Sequence, residues 1–267
     1  MTEPKIVIVS DPAAGAVEAA ALIATALSDA VEARGRADWA TTGGSTPVAI
    51  YRRLVAPPLI DAVPWAAVHA WWGDDRYVPR DHPLSNIKSF YDIVLDIADG
   101  AEGTAGGGVH GVPIPVENVH PFPTTEAIGG SRGVAWCAAA LADELRAADL
   151  PVADGWPAFD LMLIGIGVDG HLLSVFPGSA ALDSSELALA IPAPTHIEPH
   201  VERVTLNPGV IGVARQVIVV VNGADKAPVI DAIFGPERDA RRWPAQLARR
   251  AGAIWILDEA AAASLPR

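Results

Sequence analysis

The chain has 267 residues, half of them apolar, a formal net charge of −13 and only three lysines, Lys5, Lys88 and Lys226. Phosphate-backbone binding relies on clustered Lys and Arg, so nucleic acid is not an expected partner, and a small anionic ligand would need its positive charge gathered locally. The single cysteine, Cys137, excludes an intramolecular disulfide framework, suits a reducing cytoplasm and, in the helical run VAWCAAALADEL, is expected to pack in a core.

KIVIVS (5–10) reads as a strand, and the alanine-rich segment from Pro12 to about Arg34 as a helix. ADWATT (37–42) predicts a second strand, GGSTP a turn, and the residues after Pro47 a helix. AVHAWWGD (67–74) predicts a third strand, in which Trp71 and Trp72 pack on the sheet, and SNIKSFYDIVLD (85–96) a helix. The Gly- and Pro-rich stretch from 100 to 130 reads as a long surface excursion with one short strand. A helix at 131–148, strands at 159–165, 201–206 and 216–221, a helix at 224–234 and a strand at 252–257 complete the pattern. No uncharged apolar run approaches the eighteen or so residues of a membrane span, and the N-terminus lacks the basic and apolar regions of a signal peptide. This alternation predicts one α/β domain over 1–267 on a mostly parallel sheet, with ligands at the carboxyl ends of the strands.

Three loops carry chemistry. In TTGGSTP (41–47), Gly43 and Gly44 permit a tight turn, Thr46 is the expected N-cap and Pro47 the first helical residue. Ser45 and its neighbours then offer free amides to an anion at a helix N-terminus. In WWGDDRYVPRDHPLSN (71–86), Asp74 and Asp75 stand at a strand end, followed by Arg76, a candidate either to neutralise the carboxylate or to grip phosphate. IGIGVDGHLLSVFPGS (164–179) fits G-x-G-x-x-G at Gly165, Gly167 and Gly170, but Pro177 and Gly178 stop any helix within two turns, so a dinucleotide site is discounted. If the segment is extended, Asp169 and His171 project to the same side, where the carboxylate can orient an imidazole able to take a proton from water. The other histidines, including His69, His110 and His120, read as structural.

These loops, with ERVTLNP (202–208) and VVVNGADKAPVI (219–230), occur in the order and spacing of the 6-phosphogluconolactonase family, which the chain resembles over nearly its whole length. The resemblance implies a Rossmann-like three-layer α/β fold, often monomeric, and cofactor-free hydrolysis of 6-phospho-D-glucono-1,5-lactone in the oxidative pentose phosphate pathway. It assigns phosphate binding to Gly43, Gly44, Ser45, Thr46, Arg76, Arg203 and Lys226, and the catalytic base to His171 with Asp169 beside it. The related glucosamine-6-phosphate deaminases, in which Asp74 would be the enolising base, carry Asn-Glu-Pro-Gly after the D-G-H, whereas Val175 and Phe176 stand there in this chain. A non-catalytic sugar-phosphate sensor and a nicotinamide-dependent dehydrogenase also compete with the lactonase reading. Asp75 in place of the usual glutamate, and Leu172 in place of a threonine, depart from the family pattern.

Overall fold

The computed structural model describes residues 3–95 and 111–265. His110, the end of the expected 85–96 helix and most of the first half of the Gly- and Pro-rich stretch lie outside the described residues.

The chain opens with strand β1 (Lys5–Val9) and helix α1 (Pro12–Arg34), followed by β2 (Ala37–Thr41) and α2 (Ser45–Leu54). A short helix α3 (Leu59–Ala62) leads to β3 (Val68–Trp72), β4 (Asp74–Arg76) and α4 (Lys88–Phe90). Next come β5 (Val119–His120), α5 (Thr124–Gly129), α6 (Gly133–Ala147) and a hairpin of β6 (Val152–Ala153) and β7 (Trp156–Pro157). The remainder supplies β8 (Leu161–Ile164), β9 (Ala188–Ile191), β10 (Arg203–Leu206), α7 (Gly209–Val213), β11 (Gln216–Val221), α8 (Ala227–Phe234) and β12 (Ala253–Asp258).

Seven of these strands form one all-parallel sheet in the order β1-β12-β11-β8-β2-β3-β5, flanked by helices. Parallel strands covered on both faces read as continuous apolar runs, as in LMLI of β8 and QVIVVV of β11. Trp39, Trp71, Trp72, Phe90, Phe159 and Trp255 fill the core, each side chain contributing about 2 kcal/mol or more through burial.

Helix α1 starts where the sequence permits it: the Asp11 carboxylate accepts from the amides of Ala13 and Ala14, and Gly35 closes the far end in the left-handed region at φ 78°. Its stripe Ala16, Ala19, Ala20, Ile23, Leu27 and Ala30 is buried at helical spacing, and the small side chains allow close approach to the sheet. Glu18 and Asp29 interrupt the uncharged runs of α1 as expected, but by length and composition alone the helix could cross a membrane; part of its surface is the stripe packed in the core.

Three further corrections bear on the site. Asp74, Asp75 and Arg76 do not end β3: the chain leaves the main sheet at Gly73, and β4 joins an antiparallel sheet of order β4-β10-β9. The 201–206 strand therefore lies outside the parallel sheet, and β9, which the sequence pattern did not predict, is its other neighbour. Residues 88–95 form one turn of α-helix running into a π-helical turn, Tyr91–Leu95, rather than a continuous α-helix.

Candidate active site

The carboxyl ends of β2, β8 and β11 open onto a cavity of about 520 Å³. Gly43, Gly44, Ser45, Thr46, Asp74, Arg76, His171, Arg203 and Lys226 all line it, so segments more than a hundred residues apart converge as the loop motifs anticipate.

The first loop forms its helix start differently from expectation. Gly44, not Thr46, is the N-cap, at φ 103°, and α2 begins at Ser45 with Thr46 and Pro47 inside its first turn. Glycine tolerates that backbone where threonine would be strained, so the turn closes two residues early. The consequence for an anion is unchanged, because the first-turn amides have no earlier helical carbonyl to serve and face the cavity with the positive end of the dipole. Tyr51 fixes the approach, its hydroxyl donating to the Thr42 carbonyl at 2.5 Å.

The cations are held by carbonyls rather than cancelled by carboxylates. Arg76 Nη1 donates to Leu84 O at 2.8 Å, Arg203 Nη2 to Pro199 O at 3.3 Å and Lys226 Nζ to Ile166 O at 3.0 Å. The Nε–H groups of both arginines are buried without a partner among the described residues. Burial draws the Lys226 pKa down against the opposing pull of Asp225 and Asp169. Asp74 is buried with both oxygens engaged, Oδ2 accepting from Ser174 Oγ at 2.6 Å and Oδ1 from Asn86 Nδ2 at 3.1 Å.

Asp75, the departure from the family's glutamate, points away from the cavity into the protein. Its carboxyl accepts from the amides of Asn86 and Arg76 and from Ser85 Oγ, which holds the 84–86 turn against β4. Burial pushes its pKa up to about 7, outweighing those donors, whereas in the unfolded chain it titrates near 3.8. Between these values the folded state holds the extra proton, so this group's stabilisation is complete below the unfolded value and is lost as pH rises through about 7. In Asp75→Asn, which keeps the shape and cannot ionise, the gap in denaturation midpoint from the parent should shift in the variant's favour between pH 5 and 8. Parallel curves would show that Asp75 is ionised throughout.

The third loop brings Asp169 and His171 together, but not as alternate residues of an extended segment. Residues 168–170 turn, with Gly170 at φ 80°, and Asp169 Oδ1 accepts from both the backbone N and the Nδ1 of His171, at 3.2 and 2.5 Å. Asp169 lies behind the imidazole, outside the cavity wall. Burial opposes its ionisation, but hydrogen bonds from His171 and His196 prevail and hold the carboxyl below the usual range. An ionised acceptor at Nδ1 fixes the tautomer with the proton there and leaves Nε2 as the free base. Close packing enforces the pair: a Cβ on Gly167 would meet His171 Nδ1 at 2.0 Å. Leu172 is fully buried in the loop and contributes no cavity contact, so the absent threonine hydroxyl removes nothing from the wall.

Four participants have no role assigned from the sequence, although Asn86, Ser174 and Asn222 stand inside its motifs. Asn86 braces Asp74 and lies against Gly43; Ser174 joins the third loop to Asp74; Asn222 lines the cavity and donates to Thr46 Oγ1 at 3.4 Å; His196 donates to Asp169 Oδ2 at 2.9 Å. Asn86 closes the WWGDDRYVPRDHPLSN motif, but nothing local in the sequence distinguishes it from a turn residue. His69 and His120 have the structural role expected, stacked on each other at the β3–β5 edge, with His120 also stacked on Trp71.

The model of the family described as glucosamine-6-phosphate isomerases/6-phosphogluconolactonase matches residues 10–256 of this chain. Curated 6-phosphogluconolactonases of Synechocystis sp. and Streptomyces coelicolor are 33% and 31% identical, the first over 91% of this chain and 90% of its own length, the second over 99% and 95%. The structure of the 6-phosphogluconolactonase from Trypanosoma brucei superposes with a TM-score of 0.82 at 27% identity, covering both chains completely. The chain belongs to this family, within its 6-phosphogluconolactonase branch.

Proposed function

We propose that the protein hydrolyses 6-phospho-D-glucono-1,5-lactone to 6-phosphogluconate, with water activated by His171. The observation that carries this reading is the shared cavity: an imidazole with a free Nε2 faces the same space as an amide cradle and three cations in a strongly acidic protein. The first-turn amides of α2 with Arg76, Arg203 and Lys226 hold the 6-phosphate, and that remote binding energy positions the lactone carbonyl.

His171 Nε2 takes a proton from water as the water oxygen adds to C1. The tetrahedral oxyanion is stabilised by backbone N–H groups of the Gly43–Gly44 turn. Its collapse breaks the bond from C1 to the ring oxygen, which receives the proton from the imidazolium, and the product is the open-chain acid. A deaminase would call for a glutamate shortly after the histidine, where this chain buries Val175 and packs the Phe176 ring 4.7 Å from His171.

The test is hydrolysis of freshly generated lactone against its spontaneous decay, with ammonia release from glucosamine 6-phosphate run in parallel. No acceleration over the background, or ammonia production, overturns the reading. In Lys226→Ala, KM should rise about tenfold or more with kcat nearly unchanged, because one charged phosphate contact is lost and no reacting group is touched.

A further inference from the structure

Asp169 has two imidazole partners, and only one of them lines the cavity. His171 Nδ1 occupies Oδ1, while His196 Nε2 occupies Oδ2 at 2.9 Å. The His196 side chain is 51% exposed, against 17% for His171 and Asp169. It stands in the segment between β9 and β10 that leads into Arg203. Phe176 packs against both imidazoles, its ring 4.7 Å from His171 and 5.5 Å from His196, with Arg203 Cζ 5.3 Å from its centroid.

We propose that His196 is a positioning residue for the base: it clamps the second oxygen of Asp169 and, by carrying a charge of its own, sets how strongly that carboxylate supports a proton on His171. This rests on His171 being the base. One carboxylate cannot fully compensate two imidazolium ions, least of all with Arg203 and Lys226 also acting on Asp169. The remaining charges nearby leave this balance intact: Asp74 and Arg76 face Arg203, Asp225 faces Lys226, and Glu198 and His200 on the segment of His196 pair with each other. A charge on His196 disfavours a second proton on His171 through the carboxylate that the two share.

The experiment compares the pH profile of kcat/KM for the parent, His196→Gln and His196→Ala, with His171→Ala as reference. Glutamine can donate to Asp169 but cannot titrate, so its acid limb should move up by about one pH unit with KM at pH 8 within about twofold of the parent. His196→Ala should show the same displacement and, in addition, a lower kcat that His196→Gln restores. The His171 Cε1 proton, followed by NMR titration in His196→Gln, should report the same upward shift without turnover. An acid limb and a His171 titration unmoved in His196→Gln overturn the proposal, as does a fall in kcat alone. A fully active His171→Ala would instead remove the reading of the base itself, and the proposal with it.

Discussion

His171→Ala is expected to lower kcat by about 10² to 10⁴-fold, the usual contribution of a general base, while KM changes by no more than a few-fold. The asymmetry follows from the division of the site. Among the described residues the imidazole has no hydrogen bond to the first-turn amides of α2 or to Lys226, so the phosphate contacts are expected to survive its removal. Its partner Asp169 retains His196 and is not orphaned. Initial rates on freshly generated lactone, corrected for spontaneous opening, give both constants. A variant with near-parental kcat would show that water is activated elsewhere.

Gly43→Ala is expected to damage binding and folding together. A Cβ at Gly43 would lie 2.3 Å from Asn86 Cα, so the obstacle is backbone and no rotamer change relieves it. Moving Asn86 breaks its amide bond to Asp75 and its side-chain bond to Asp74, both buried. Overpacking plus two compromised buried hydrogen bonds predicts a loss of about 2–4 kcal/mol in denaturant unfolding. Displacing the cradle should raise KM about tenfold or more. Gly212→Ala is the control, since nothing lies within 4 Å of its Cβ position in helix α7, and it should leave both quantities essentially unchanged. Equal behaviour of the two variants would show that the close approach at Gly43 has no consequence.

What the sequence made legible was whatever is written locally. Apolar runs located the parallel strands, and the alanine-rich composition from Pro12 to about Arg34 located α1. The loop motifs brought out the cradle, the cations and the Asp169–His171 pair. Hidden from it was everything decided by distant packing. Gly73 reads as one more strand residue, yet there the chain crosses from one sheet to another, because β4 finds its partners in β10 across residues 74–76 and 203–205. Thr46 offers a side-chain oxygen for capping that Gly44 lacks, but the positive φ at Gly44 decides the helix start. His196 lies in PAPTHIEPH, where nothing local singles out the histidine that reaches Asp169.

The crossing at Gly73 also determines what kind of motion the protein must avoid. The imidazole and Lys226 ride on loops of the parallel ladder, whereas Arg76 and Arg203 belong to the antiparallel one, so sliding of either ladder would change the span between the reacting carbon and its anchor. Ser174 rivets the two, its hydroxyl seated on Asp74 and its amide on Thr205 Oγ1, and Leu206 N closes onto Gly73 O at 2.8 Å. The joint ties the two ladders in one register, so the span between His171 and the arginine pair is written into the backbone itself.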